Sequence, residues 1–159
     1  MDILINAAAA HPRIVTFLIA LLPVVELRGA IPIGVGLGLS HIEAMLLSIV
    51  GNMVPVPFII LFARSVFAWL RVKIPRLSGF VSRLEARAEK KKKTVARWSL
   101  LGLVLLVAVP IPGTGAWTGA MVAAIMDIRL KKAIPAIATG VVIAGLLVMG
   151  ITYGFTSIF

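Results

Sequence analysis

Four apolar stretches, at about 14–39, 42–70, 98–126 and 133–159, occupy most of a 159-residue chain. Each is long enough to cross about 30 Å of hydrocarbon, which takes about 20 helical residues. A single small domain has too little interior to hide four such segments from water. Composition agrees: 60% of residues are apolar and 14% are charged, against about 45–50% and about 25% in soluble domains, and the mean hydropathy is +1.09. Lipid is the expected solvent, and the chain reads as one all-α integral membrane domain over 1–159.

The +10 net charge is concentrated. Ten basic residues lie between Arg71 and Arg97, among them the run Lys90, Lys91, Lys92 and Lys93, and only Glu85 and Glu89 oppose them. Flanked on both sides by apolar runs, this block reads as a cytoplasmic loop under the positive-inside rule and not as a nucleic-acid site. Leu77, Phe80, Val81, Leu84 and Ala88 recur within it at helical spacing, so an amphipathic helix on anionic lipid and a solvated loop helix are both open readings. A second cluster, Arg129, Lys131 and Lys132, follows the third apolar stretch and is placed on the same side. If both ends of 98–126 are cytoplasmic, that stretch enters the membrane and turns back. The turn is written at Val109-Pro110-Ile111-Pro112-Gly113-Thr114-Gly115, where two prolines block a helix and two glycines let the backbone reverse.

The first stretch has a comparable break between Pro23 and Pro32, and the spacing suggests a second hairpin. Pro23 to Gly51 and Pro112 to Gly140 are both 28 residues, while Ser40 follows Pro23 by 17 as Asp127 follows Pro110. The matches need different offsets, so the expected repeat is architectural. Repeat one is 1–70, the basic loop 71–97, and repeat two 98–159. Each repeat is a re-entrant helical hairpin plus a transmembrane helix, and the two are inserted with opposite orientation, as in many secondary transporters. Ser40-His41-Ile42-Glu43 has capping-box spacing and starts the second stretch's helix. That helix carries a kink at Gly51-Asn52-Met53-Val54-Pro55-Val56-Pro57, with a counterpart expected at Ile134-Pro135 to Gly140.

Glu26 and Arg28 are ionisable residues inside an apolar segment, where burying a charge costs about 2.5–3.5 kcal/mol, so they are the first functional candidates. The bland reading is a neutralised pair that holds the hairpin tip. Each returning arm is expected to begin near the membrane centre, after Pro32 or after Thr114-Gly115, and to present helix N–H groups there. Two such ends with Arg28, whose planar fork suits phosphate, make an anion site. Asn52, Pro112, Gly113, Trp117 and Thr118 complete the candidate set, with local capping and packing as the alternative for Thr114, Trp117 and Thr118. Ala30-x-x-x-Gly34-x-x-x-Gly38 and Gly115-x-x-x-Gly119-x-x-x-Ala123 give each returning arm a small-residue face, for close packing first and homodimerisation second.

The exclusions are direct. With no cysteine, disulfides and thiolate chemistry are absent, and His11 and His41 have no ligand company for a metal. No phosphate-binding loop, zinc-hydrolase or serine-hydrolase motif occurs, so no enzyme activity and no cofactor is expected. The start lacks a basic secretory n-region and the end lacks a prenylation motif, so no cleavage or lipidation is expected.

The segments Glu26-Leu27-Arg28-Gly29-Ala30-Ile31-Pro32 and Pro110-Ile111-Pro112-Gly113-Thr114-Gly115-Ala116-Trp117-Thr118-Gly119 resemble the prokaryotic family called small multidrug export proteins, over nearly the whole chain. More distantly the chain is similar to the DedA (SNARE-associated, VTT) superfamily. That likeness implies paired re-entrant hairpins and transport of polyprenyl-phosphate lipid carriers, with an acid before the first tip, where Glu26 stands, and an arginine in the second hairpin. The second hairpin here has no arginine, and Arg28 would serve from the first. The reading is a multi-pass protein of the prokaryotic inner membrane that moves an amphiphilic, phosphate-bearing anion, with membrane lipid and that substrate as its partners. Two rivals stand beside it: proton-coupled efflux of cationic drugs at Glu26, and a non-transporting scaffold whose hairpin tips are dry. Because 13 of the 16 basic residues lie in 71–97 and 127–132, cysteines introduced at Ser82 and Ile128 are expected to react with an impermeant reagent from one face. Labelling from opposite faces would make 98–126 a true crossing.

Overall fold

In a computed structural model the described residues are 10–73, 79, 82–83, 86, 89–90, 100–109 and 114–154, and their regular structure is helical throughout. The chain divides into two compact units, Met1–Val54 with Val141–Phe159 and Pro55–Gly140.

In the first unit, α1 (Pro12–Leu21) starts on a proline, whose missing N–H costs nothing at a helix N-terminus, and ends just before Pro23. Residues 22–25 turn the chain into α2 (Glu26–Gly36). α2 ends in a Schellman motif: Gly38 sits at φ +93, Gly38 N–H donates to Val35 O at 2.9 Å and Leu39 N–H to Gly34 O at 3.1 Å. α3 (His41–Met53) then begins on Ser40, whose Oγ accepts from Glu43 N–H at 3.3 Å, as the capping spacing predicts. The Glu43 carboxylate pairs with Arg13 of α1. α1 and α3 therefore run parallel, with Arg13 meeting Glu43 at one end and Phe17 and Ala20 meeting Gly51 at the other. α2 runs back between them, its Gly34 against Thr16 and Ala44. The tip at 22–25 thus lies level with Gly51 and Asn52. Val141–Tyr153 completes the unit antiparallel to α3, with Gly145 against Met45 and Ile49 and the rings of His41 and Tyr153 edge to face at 4.6 Å.

The second unit contains α4 (Pro55–Lys73), helical residues 100–108 (α5), α6 (Ala116–Ile125) and the first part of α7 (Leu130–Tyr153), and α4 packs on α6. Gly119 of α6 abuts Leu103, Val107 and Ile137, and Gly140 sits on the α5 backbone at Val104.

Several local features, exposure pattern and positive-φ residues among them, recur in the two units at nearly constant offset. Before the tips the offset is 87: exposed Ile14, Leu18 and Leu22 correspond to exposed Leu101, Leu105 and Val109, and buried Ala20 to buried Val107. After the tips it is 89. Glu26 (φ +50) matches Gly115 (φ +128), and Gly38 (φ +93) matches Asp127 (φ +53). Asp127 closes α6 with the bonds that Gly38 makes for α2, to Ala124 O from its own N–H and to Ala123 O from that of Ile128. Gly51 matches Gly140. The second tip is therefore two residues longer, and Asp127 answers to Gly38, not to Ser40 as the sequence spacing had paired them.

Three further expectations change. α2 starts at Glu26 and carries Pro32 in its interior, so the returning arm does not wait for that proline. Pro32 deprives only the Arg28 carbonyl of its i+4 donor, a loss membrane helices tolerate. The second stretch is broken at Val54, which separates α3 from α4, whereas at its expected counterpart α7 continues as helix across Pro135. Pro55 and Pro57 strike mid-helix, whereas Pro135 falls in the second turn, where few bonds are at stake. In the small-residue faces, Ala30, Gly34, Gly119 and Ala123 pack as expected, while Gly38 and Gly115 serve as helix caps. The basic segment's expected amphipathic helix lies for the most part outside the described residues.

His41–Ala63 and Leu130–Tyr153, of 23 and 24 residues and mean hydropathy 2.2 and 2.3, are long and apolar enough to cross a membrane. Ile42, Leu46, Val50 and Val54 leave an exposed apolar stripe along the first, suited to lipid. Adding a Cβ at Gly51 would bring it to 2.6 Å from Phe17 O, and at Gly140 to 2.8 Å from Val104 O. Gly51→Ala and Gly140→Ala are each expected to destabilise the protein by about 1–3 kcal/mol, read as a lower thermal midpoint in detergent. Gly36→Ala, with nothing within 4 Å, is expected to leave it unchanged or slightly raised.

Candidate transport site

Glu26 is the first residue of α2 and only 4% exposed, yet it adopts a left-handed backbone. Asparagine, aspartate and glycine visit that region readily; a glutamate there costs about 1–2 kcal/mol. The 22–25 turn imposes it, because the chain reverses between antiparallel helices in few residues. Glu26 N–H donates to Leu22 O at 2.9 Å and Gly29 N–H to Val25 O at 3.2 Å, which knits the turn onto the helix. Arg28 lies one turn-half further on and is half-buried. Its neighbour Leu27 is fully buried against Gly145. Pro32, also half-buried, follows one turn later in the same helix.

Asn52 stands at the level of this tip, on α3, and is 0% exposed. Neither Oδ1 nor Nδ2 has a hydrogen-bond partner among the described residues, and the same holds for the hydroxyl of Ser48, one turn earlier and also 0% exposed. Sequence reading passed over Ser48. Its signal was the i, i+4 spacing to Asn52 inside an apolar helix. Thr16, likewise overlooked and fully buried, returns its hydroxyl to Pro12 O at 2.7 Å and is satisfied within its own helix.

The remaining candidates lie in the second unit. Thr114 is 7% exposed and its hydroxyl donates to Val109 O at 2.8 Å, bridging the two sides of the second tip. Gly115 caps α6 with a backbone that only glycine adopts freely. Trp117 is half-buried and Thr118 buried in the first turn of α6. Pro112 and Gly113 lie outside the described residues. The first unit thus holds Glu26, Arg28, Pro32 and Asn52, and the second Thr114, Gly115, Trp117 and Thr118.

Two helices long and apolar enough to cross a membrane, beside shorter apolar helices and with an ionisable pair buried or half-buried among them, have the make-up of a membrane protein. The sequence model of the family described as "Putative small multi-drug export protein" matches residues 26–147, beginning at Glu26. The chain belongs to that family, and membrane export is its expected business. No curated protein and no solved structure matches the chain.

The left-handed backbone at Glu26 yields a test. Glu26→Gly is expected to unfold at a higher temperature than Glu26→Gln, since only glycine removes the roughly 1–2 kcal/mol of backbone strain. Equal midpoints would refute the strained turn.

Proposed function

We propose that the protein is a transporter of the prokaryotic inner membrane that moves an amphiphile with an anionic, phosphate-bearing head group past Glu26 and Arg28. The observation that carries this reading is the placement of Glu26: buried, in a strained backbone, at a hairpin tip level with Asn52. Asn52 is the midpoint of the His41–Ala63 span. A buried acid at mid-membrane in a strained turn costs energy twice over, and such sites persist where function requires them.

Lengths support re-entrant hairpins. α1 and α2, of 10 and 11 residues, reach about 15–17 Å at 1.5 Å per residue, half of a 30 Å hydrocarbon layer. α6, of 10 residues, does the same. Orientation follows from charge. If 71–97 and 127–132 are both cytoplasmic, α7 starts at the cytoplasmic side, while α3, one crossing before 71–97, starts outside. Each hairpin lies along the first half of its own long helix, so the two enter from opposite faces, as inverted repeats do.

In this mechanism Arg28 takes the phosphate bidentately, and Glu26, its ordinary charge partner, is released as the head group arrives. Lipid tails remain in the bilayer beside the exposed apolar stripes. A second reading, efflux of lipophilic cations, is favoured by the deeper burial of Glu26 and by the family's description. Reconstituted protein separates them on a fluorescent phospho-polyprenol analogue and a lipophilic cation. The anion reading expects Arg28→Ala to abolish lipid movement and Arg28→Lys, which keeps charge without the fork, to retain part of it. The cation reading expects Glu26→Gln to be the inactivating change. Arg28→Ala moving lipid as fast as the parent overturns the anion reading, and a parent that moves neither probe favours a scaffold.

A further inference from the structure

Ser48 and Asn52 are polar side chains in a part of the fold that does not need polarity. At the 89-residue offset their counterparts are Ile137 and Val141, each 0% exposed, as are Ser48 and Asn52 themselves. Aliphatic side chains fill the same two helix positions in the other half, where the helix is unbroken. In the first half the helix breaks at Val54, and Pro55 and Pro57 have no N–H to give to the carbonyls of Gly51 and Met53 four residues earlier. Their counterparts, Ala144 and Leu146, both have one.

At 3.6 residues per turn, Ser48 and Asn52 share one stripe of α3. On one side of that stripe are Ala44 and Gly51, which face the hairpin, and on the other Met45 and Ile49, which face Gly145. The two polar side chains therefore point into the interior of the first unit, not to lipid. In hydrocarbon each unsatisfied polar group costs several kcal/mol. Here acceptors predominate: Asn52 Oδ1, Ser48 Oγ and two main-chain carbonyls at a helix break, all near mid-span. A broken membrane helix that offers neutral oxygens is how secondary transporters hold a coupling ion.

We infer that Ser48, Asn52 and the carbonyls freed by Pro55 and Pro57 form a binding site for a small alkali cation, which the transport cycle uses as a coupling ion. Side-chain and main-chain oxygens replace part of the ion's hydration shell, and one retained water accepts from Asn52 Nδ2. The inference is independent of which substrate passes Glu26 and Arg28, because it concerns different atoms and a different ligand.

The test uses purified full-length protein in detergent, unfolded thermally in sodium, potassium or choline chloride at equal ionic strength. Sodium or potassium is expected to raise the midpoint by roughly 5–10 °C over choline near saturation. The double substitution Ser48→Ile with Asn52→Val copies the other half of the molecule. It is expected to unfold in choline at or above the parent's midpoint and to lose the cation shift. Ser48→Ala alone, which removes one oxygen and adds no bulk, is expected to weaken the cation's half-effect concentration at least tenfold. Arg28→Ala is expected to keep the full shift even where it loses substrate, so failure of the substrate reading leaves this one standing. The cation site is overturned if neither alkali ion moves the parent's midpoint, or if the shift survives undiminished in both Ser48→Ala and the double variant; the polar pair then holds water only.

Discussion

A helix of ten residues covers half of a bilayer, and its end cannot be left in hydrocarbon with bare backbone groups. On the re-entrant reading proposed above, each half of this protein meets that constraint in the same way. The outgoing helix is turned within a few residues onto a returning one, and the pair is pressed against the first part of a long helix through a glycine, Gly51 or Gly140, that lets backbone touch backbone. Close approach of this kind is the main source of cohesion available in lipid, where apolar surface gains little by leaving its solvent. The left-handed residues follow from it. Glu26 and Gly115 stand where the chain reverses at a tip, and Gly38 and Asp127 where it reverses again to start the long helix.

On this shared scaffold the two halves differ in chemistry. Glu26, Arg28, Ser48 and Asn52 correspond to Gly115, Trp117, Ile137 and Val141, so ionisable and amide groups of the first half meet a glycine, an indole and two aliphatic chains in the second. The helix break has the same bias, since two prolines interrupt the first long helix while the second runs through. At these four positions the first half carries ionisable, hydroxyl and amide groups where the second, although it buries Thr114 and Thr118 elsewhere, has none. Proteins retain strained or buried polar groups where function requires them, and aliphatic Ile137 and Val141, buried at the counterparts of Ser48 and Asn52, show that the helix positions themselves do not.

The candidate site was legible in part. An acid and an arginine inside an apolar run announce themselves in any sequence, and so does a pair of prolines beside an asparagine. Ser48 did not stand out, because a serine in a membrane helix usually returns its hydroxyl to its own backbone, as Thr16 and Thr139 do. The strained conformation at Glu26 left no trace at all, since the residue type argues against it. Pro32 and Pro135 misled in the other direction. Proline signals a break in water-soluble helices, but in lipid a helix is kept intact around an isolated proline because no alternative hydrogen-bonding partner competes.

What the sequence determined by itself is the solvent and the inventory: four apolar stretches that demand lipid, the clustering of basic residues between them, the cap at Ser40, and membership of an export family. These are local or compositional properties, readable from hydropathy and spacing alone. The tertiary structure decided the pairing of the halves, with an 87-residue offset before the tips and 89 after, which hydropathy cannot resolve because every residue in the stretch is apolar. It also decided which polar groups are buried together. Asn52 comes level with Glu26 only because the hairpin turns at residues 22–25 and runs back along α3, a matter of helix length and packing that no single stretch of sequence contains.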